Sequence, residues 1–230
     1  ASLLRDQLKA QLRKNEGILY MGEPFYAAYA KQFHEPEAFD DIANRFIGME
    51  QHARDAKTGL YEMALVDVLE NFPESHPKRE ALIAILKRLV EAIKKVQDPA
   101  TGLWYDILNL PKEKDNYFEA SASAMFVCAT AKAVRLGLLP TSYLALATKG
   151  YDGIVKQFIR KDDKGYTNLE GTVSVSGLGG KPYRDGSYAY YMSEKVVVND
   201  PKGVGAFLLA AGEMEQLPTQ SVGKGKTVLL

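Results

Sequence analysis

One cysteine, Cys128, is the only thiol in this 230-residue chain. A lone thiol can form neither an internal disulfide nor a thiolate zinc site, which fits a cytoplasmic setting. Net charge is lacking too, since 29 Lys and Arg balance 29 Asp and Glu. A neutral chain argues against wholesale electrostatic binding of nucleic acid or an anionic membrane. No apolar run reaches spanning length, because even the stretch 120–133 carries Ser, Thr and Lys. His34, His52 and His76 are scattered and make no His-Glu-x-x-His pair, so no catalytic zinc and no other cofactor is expected. Gly177-Leu178-Gly179-Gly180 fails as a dinucleotide fingerprint, because the third glycine falls on Pro182. Gly225-Lys226-Thr227 fails as a phosphate loop, since its first glycine would be Gln220. Ser174 and Ser176 lack the frame of a nucleophile elbow. The start at Ala1 carries no secretory pattern, and with the abrupt stop at Leu230 both ends read as cut from something longer.

Helical periodicity fills most of the rest. One kind of helix is amphipathic with a charged outer side, near 2–15, 38–55, 78–97 and 141–159. Phe39, Ile42, Ala43 and Phe46 mark the stripe of the second, and Leu82, Ile85, Leu86, Leu89 and Ile93 that of the third. The other kind is rich in small residues and apolar nearly all round, near 20–33, 61–72, 118–137 and 202–215. A helix apolar on all faces has to be buried on all faces. Alternation of the two kinds predicts a double-layered ring, all-α, with inner helices lined up inside outer ones; an irregular helical bundle is the plainer alternative. A weak repeat supports the ring. Arg54–Leu60 resembles Gln97–Leu103, and Asp162–Tyr166 is a looser copy, each with a glycine suited to a helix exit turn. Helices 118–137 and 202–215 are expected to be buried on every side. Four pairs leave a ring open, so exposed apolar inner-helix surface is also expected.

Cys128 lies mid-helix in apolar company and reads as core rather than nucleophile. Glu119, at a helix start, reads first as a capping partner. The tyrosines, with Trp104, form an aromatic population that either fills the core or stacks on sugar faces. The longest stretch without helical pattern is Tyr166–Asp200, and loops of that length in compact domains are usually functional. Within it Arg184 offers a bidentate fork for a carboxylate, beside Asp185, Tyr183 and Tyr188. Either this loop folds over the ring's mouth and meets substrate, with Asp185 orienting Arg184, or the Arg184–Asp185 pair only pins it.

Several long motifs resemble a known family. Tyr20–Tyr26, Gly102–Tyr105, Asn116–Phe126, Gly171–Gly180, Pro182–Tyr188 and Asn199–Phe207 look like the unsaturated uronyl hydrolases of glycoside hydrolase families 88 and 105, nearest the unsaturated rhamnogalacturonyl hydrolases of family 105. The resemblance covers nearly the whole chain and implies an (α/α)6 toroid. At roughly 50 residues a pair, six pairs need about 300 residues, so this chain is a single toroid domain short of an N-terminal part. The implied reaction releases a terminal 4,5-unsaturated uronic acid from an oligosaccharide. An Asp protonates C4 of the vinyl ether, water adds at C5, and the hemiketal opens to expel the remaining sugar. The resemblance thus implies no direct displacement of the aglycone through two carboxylates, the route of the common glycosidases.

The chain departs from that pattern at its most important point. The family's catalytic Asp stands four residues before the methionine that matches Met21, and that position is Gly17. A second family Asp would lie upstream of Ala1, and a sugar-binding loop is absent at Thr58–Met63. Two explanations stay open: residues left out of the chain, or a degenerate relative that binds acidic oligosaccharides without turning them over. The resemblance assigns substrate contact to Met21, Tyr183, Arg184, Asp185 and Tyr188 and no catalytic residue. The partner implied is an oligosaccharide; nothing in the pattern fixes the oligomeric state.

Overall fold

The computed structural model describes residues 19–52 and 58–217. Eight helices account for most of them: α1 (Leu19–Gln32), α2 (Glu37–His52), α3 (Thr58–Asn71), α4 (Arg79–Lys95), α5 (Ala120–Arg135), α6 (Leu144–Phe158), α7 (Tyr188–Ser193) and α8 (Pro201–Gln216). Helices α1, α3, α5 and α8 pack side by side in that order as an inner row. Helices α2, α4 and α6 lie against it on the outside. The result is an arc of a helical toroid, as the alternation of helix types predicts. The predicted helix at 2–15 lies outside the described residues.

Each layer follows from its side chains. Helix α4 buries Leu82, Ile85, Leu86, Val90 and Ile93 along one stripe, and ends with Lys94 and Lys95 at the negative pole of its dipole. Helix α2 does the same with Phe39, Ile42, Ala43 and Phe46. The inner helix α5 is buried almost end to end, from Ala120 to Val134. Its small residues let α3, α6 and α8 approach closely. Trp104 lies fully buried, donates its indole N–H to Ile93 O at 2.9 Å, and packs against Phe126 with the rings tilted by 58°. It is a core filler, not a sugar platform. Gly150 of α6 allows this packing, because a Cβ there would sit 2.8 Å from the Trp104 ring. Cys128 is buried as well, and burial pushes its thiol up to about 12, so it stays protonated.

Three expectations need correction. Helix α8 is not buried on every side: Gly203, Ala206 and Ala210 face inward, while Leu208 and Leu209 are each 53% exposed. Among the described residues it is the last inner helix of the arc and has an inner-row neighbour on one flank only. At the other end of the described row, Phe25 of α1 and Phe33, just past its last residue, are half exposed. The open arc with apolar edges is thus what the structure has. Gly59 sits inside α3, with its Cα side against Met125 rather than in an exit turn, whereas Gly102 and Gly165 do adopt left-handed φ of 77° and 84°. The segment 159–200 is not purely irregular. It holds the antiparallel pairs β1 (Ile159–Lys161) with β2 (Thr167–Leu169), and β3 (Thr172–Val173) with β4 (Val196–Val197), and the short helix α7.

The inner row also carries an ionisable group in an unusual place. Glu62 of α3 is wholly buried. Among the described residues its only hydrogen bond comes from the Thr130 hydroxyl of α5 at 3.2 Å, and Oε2 has no partner. Burial drives its carboxyl well above the usual range, with Thr130 opposing weakly. A folded-state value above the unfolded one means the unfolded chain gains stability, relative to the fold, as pH rises past the ordinary glutamate value of 4.5. Glu62→Gln is therefore expected to match the parent's thermal midpoint near pH 4 and to exceed it near pH 7.5. Glu23, pushed up to about 7 by burial against the pull of Arg45, acts in the same direction, so the variant should keep a residual slope. Equal pH slopes for parent and variant in thermal melts would contradict this.

Candidate active site

Connection lengths single out one end of the arc. The turns from inner to outer helices are short, at 33–36, 72–78 and 136–143. The returns from outer to inner are long where they are described, at 96–119 and 159–200. Since each outer helix carries the chain back, all inner helices begin at the same end. The two long excursions therefore gather over the N-termini of α5 and α8, where binding loops on a rigid scaffold are expected. Met21, in the first turn of α1, belongs to this end too.

The excursions are laced together. Residues 104–106 pair with 117–119 through Glu119 N to Trp104 O at 3.0 Å and Asp106 N to Tyr117 O at 2.9 Å. The Asn116 side chain closes the loop between them by donating to Ile107 O and Leu110 O. Glu119 then caps α5: Oε2 accepts the Ala122 N–H at 2.5 Å, and the Ser121 hydroxyl donates to the carboxylate at 2.9 Å. Its Oε1 also accepts the Val173 N–H at 3.0 Å, and Ala120 N donates to Gly171 O at 2.9 Å. The capping reading of Glu119 holds, and the same carboxylate ties the second excursion to the first. Further out, the Tyr188 hydroxyl donates to Lys114 O at 2.6 Å.

Alternation along 104–106 puts Tyr105 against Phe118 on one face, rings 4.3 Å apart, and Asp106 with Tyr117 on the other. Asp106 is half-buried, and burial with the nearby Glu119 charge raises its carboxyl to about 6. The Tyr117 hydroxyl lies beside it and offsets part of that rise. Among the described residues neither Asp106 Oδ2 nor Tyr117 Oη has a partner at hydrogen-bond geometry, although both atoms are buried. A carboxyl poised near neutral pH, with an unengaged oxygen, can give or take a proton. No periodicity or motif pointed to Asp106; only the pairing across 104–119 brings it beside Tyr117 and Glu119.

The residues named from sequence are only partly assembled. Gly17 lies outside the described residues. Tyr188 meets the 107–116 loop as described. Arg184 is half-buried and pairs backbone to backbone with Gly179, at 2.9 and 3.1 Å. Its guanidinium lies along Gly177, where a Cβ would come 2.9 Å from Nη1. Asp185 does not orient it. That carboxylate accepts the Ser187 N–H at 2.9 Å, which holds it below the usual range, and no ion pair with Arg184 occurs among the described residues. Adjacent residues in the Gly179–Arg184 bridge point opposite ways, so the two side chains diverge. Tyr183 is 79% exposed and touches neither excursion's core. Among the described residues no group of three or more His, Cys, Asp or Glu could hold a metal ion, and no helix is long and apolar enough to cross a membrane.

An arc of paired helices with loops gathered over the inner N-termini defines a helical toroid, a fold that does not fix an activity, and the comparisons specify its class. The profile described as Glycosyl Hydrolase Family 88 matches residues 17–62 and 61–218, its two stretches meeting inside the Thr58–Met63 segment. The chain belongs to that family. It is 32% identical to the 24.9 kDa protein in picA locus of Rhizobium radiobacter, over 84% of this chain and 97% of that one. A family 105 glycoside hydrolase of C. acetobutylicum superposes with a TM-score of 0.82 at 43% identity, covering 86% of this chain and 64% of that one. A possible family 105 member from Salmonella enterica superposes at 0.68 with 25% identity, covering 85% and 55%. The chain thus spans less than two thirds of the length of these two solved relatives.

Proposed function

We propose that this family 88 member releases a terminal 4,5-unsaturated uronic acid from rhamnogalacturonan-type or related oligosaccharides, by hydrating the vinyl ether. The observation that carries the reading is the gathering of two long excursions at the inner-helix N-termini, where Tyr188, from the excursion that bears Arg184, bonds to Lys114 O of the excursion that bears Asp106, and Asp106 keeps a buried oxygen without a partner among the described residues. An unsaturated uronate presents a carboxylate, which Arg184 suits, and sugar hydroxyls, which backbone N–H groups and Tyr188 suit. Its reacting bond is an electron-rich alkene that needs a proton at C4. Asp106, protonated up to about pH 6, is the donor we assign, since Gly17 stands where the family's acid is expected. Water then adds at C5, and its released proton returns to Asp106. The hemiketal opens and frees the remaining oligosaccharide, so every proton is accounted for.

The assay is turnover of an unsaturated rhamnogalacturonyl disaccharide, followed by loss of the absorbance of the conjugated double bond. Arg184→Lys keeps the charge but loses the fork, so KM is expected to rise about tenfold with an unchanged thermal midpoint. An unaltered KM removes Arg184 from the site. The glycine at position 17 favours a second reading, a toroid that binds acidic oligosaccharides without turnover. Calorimetric binding of the disaccharide with no absorbance loss would select it.

A further inference from the structure

Asp106 and Tyr117 stand directly opposite each other in the pairing that joins 104–106 to 117–119. Asp106 N donates to Tyr117 O at 2.9 Å, and one residue on Ile107 N donates to the Asn116 side chain at 3.3 Å. Opposite residues of an antiparallel pair point to the same face, with their Cβ atoms about 5 Å apart. Asp106 Oδ2 and Tyr117 Oη are both enclosed on that face, side by side. Asp106 Oδ1 is not enclosed, so the two carboxyl oxygens differ: one is shut in with the Tyr117 hydroxyl and the other is open. The groups facing the carboxyl are Tyr117 and Glu119 on the pairing itself, and Tyr188 and Tyr191 of α7. Burial, with the charges of Asp106, Glu119 and Glu194, holds the Tyr117 hydroxyl well above its ordinary range, so it stays protonated. The Tyr188 proton goes to Lys114 O. Among the described residues, Tyr117 is an enclosed donor with only Asp106 to give to.

We propose that Tyr117 is the positioning residue of Asp106: its hydroxyl closes on the enclosed Oδ2 and so keeps the transferable proton on the open Oδ1. The proposal rests on the reading of Asp106 as proton donor. A carboxyl oxygen that accepts from a hydroxyl is the poorer place for the acid proton, which then sits on the other oxygen. When that proton passes from Oδ1 to C4, the carboxylate left behind is charged. The bond from Tyr117 to Oδ2 is then charge-assisted and stronger, so it favours the transfer. Tyr117 gives up no proton of its own, and its enclosed oxygen touches no substrate.

Tyr117→Phe tests this, since it removes the one oxygen and keeps the ring. With isotope-labelled aspartate read by NMR, the Asp106 carboxyl is the resonance that Asp106→Asn lacks. Its midpoint is expected near 6 in the parent. It should lie about one pH unit higher in Tyr117→Phe, the effect of losing one hydrogen bond to a charged group. On the unsaturated disaccharide, the falling limb of kcat should move up with it. Near pH 5 kcat should drop about tenfold with KM unchanged. General damage to the fold would lower the rate without moving the limb. The Cζ signal of Tyr117 in the parent, assigned through its ring protons, is a second measurement that does not depend on the variant's folding. It should titrate with the midpoint of Asp106. An Asp106 midpoint that is the same in both proteins overturns the proposal, as does a Tyr117 signal blind to that titration. A raised KM also overturns it, because Tyr117 would then touch substrate. If the parent turns over no disaccharide, the hydrolase reading fails on that assay, and the two titrations still decide whether Tyr117 holds Asp106.

Discussion

Asp106→Asn is expected to lower kcat on the unsaturated disaccharide by about 100-fold or more, with KM changed little. That is the range over which a positioned general acid contributes. The amide keeps the shape and half-buried setting of the side chain, and it removes the only proton that the carboxyl can give. The pH profile is the sharper readout. A donor must be protonated, so the parent's kcat should fall as pH rises through about 6, the value set by burial and by Glu119. In the asparagine variant the residual rate should lose that limb. Stability moves the other way and separates the two roles: the raised carboxyl costs the fold something above the ordinary aspartate range, so the variant should be slightly more stable near pH 8. Full activity in Asp106→Asn would leave the proton donor elsewhere. The uronyl-hydrolase reading would then still stand or fall with the parent's own turnover.

Glu119→Ala is expected to destabilise the fold by about 3 kcal/mol, and to abolish activity at temperatures where the fold survives. The carboxylate is buried, 2% exposed, and accepts from the backbone of Ala122 and Val173 and from the Ser121 hydroxyl. Alanine leaves those donors without acceptors, at roughly 1–3 kcal/mol for each that water cannot reach. Loss of the cap on α5 accounts for about 1 kcal/mol of the total. The Val173 bond is the functional part. Without it β3 is held to α5 only through Ala120 and Gly171, and the segment carrying Arg184 and Tyr188 loosens. Glu119→Gln is the control. Its amide oxygen can still accept from one or two donors, so it should recover part of the stability. Hydrogen exchange of the Val173 amide, faster in alanine than in glutamine, would report the tether directly. A midpoint shift of less than about 2 °C in Glu119→Ala would show that the buried bonds are replaced by water.

The amphipathic stripes of α2, α4 and α6 and the small-residue runs of α3 and α5 were legible because each depends on local spacing. A helix that must bury one face repeats its apolar residues at 3 and 4, and one that must bury all faces carries few charges anywhere. Those two patterns are enough to order the layers of a toroid. The chain's motifs likewise carry its family, since Asn116–Phe126 and Asn199–Phe207 are long runs in one stretch of sequence.

Position within the arc is another matter. Helices α5 and α8 have similar compositions, yet one is buried and the other half bare, because burial depends on how many neighbours the row supplies. Asp106 gives no signal of its own. Its carboxyl is raised by burial and then by Glu119, with Tyr117 opposing, across a backbone pairing that sequence does not announce. The Arg184–Asp185 pair shows the reverse case. Adjacent opposite charges suggest a contact, but the bridge to Gly179 turns the two side chains to different sides and gives Asp185 to Ser187. Sequence alone determined which helices are inner and outer and which family they form. Tertiary structure decided which side chains share a site and which apolar face stays open, because desolvation and partner geometry belong to the assembled layers and not to any one segment.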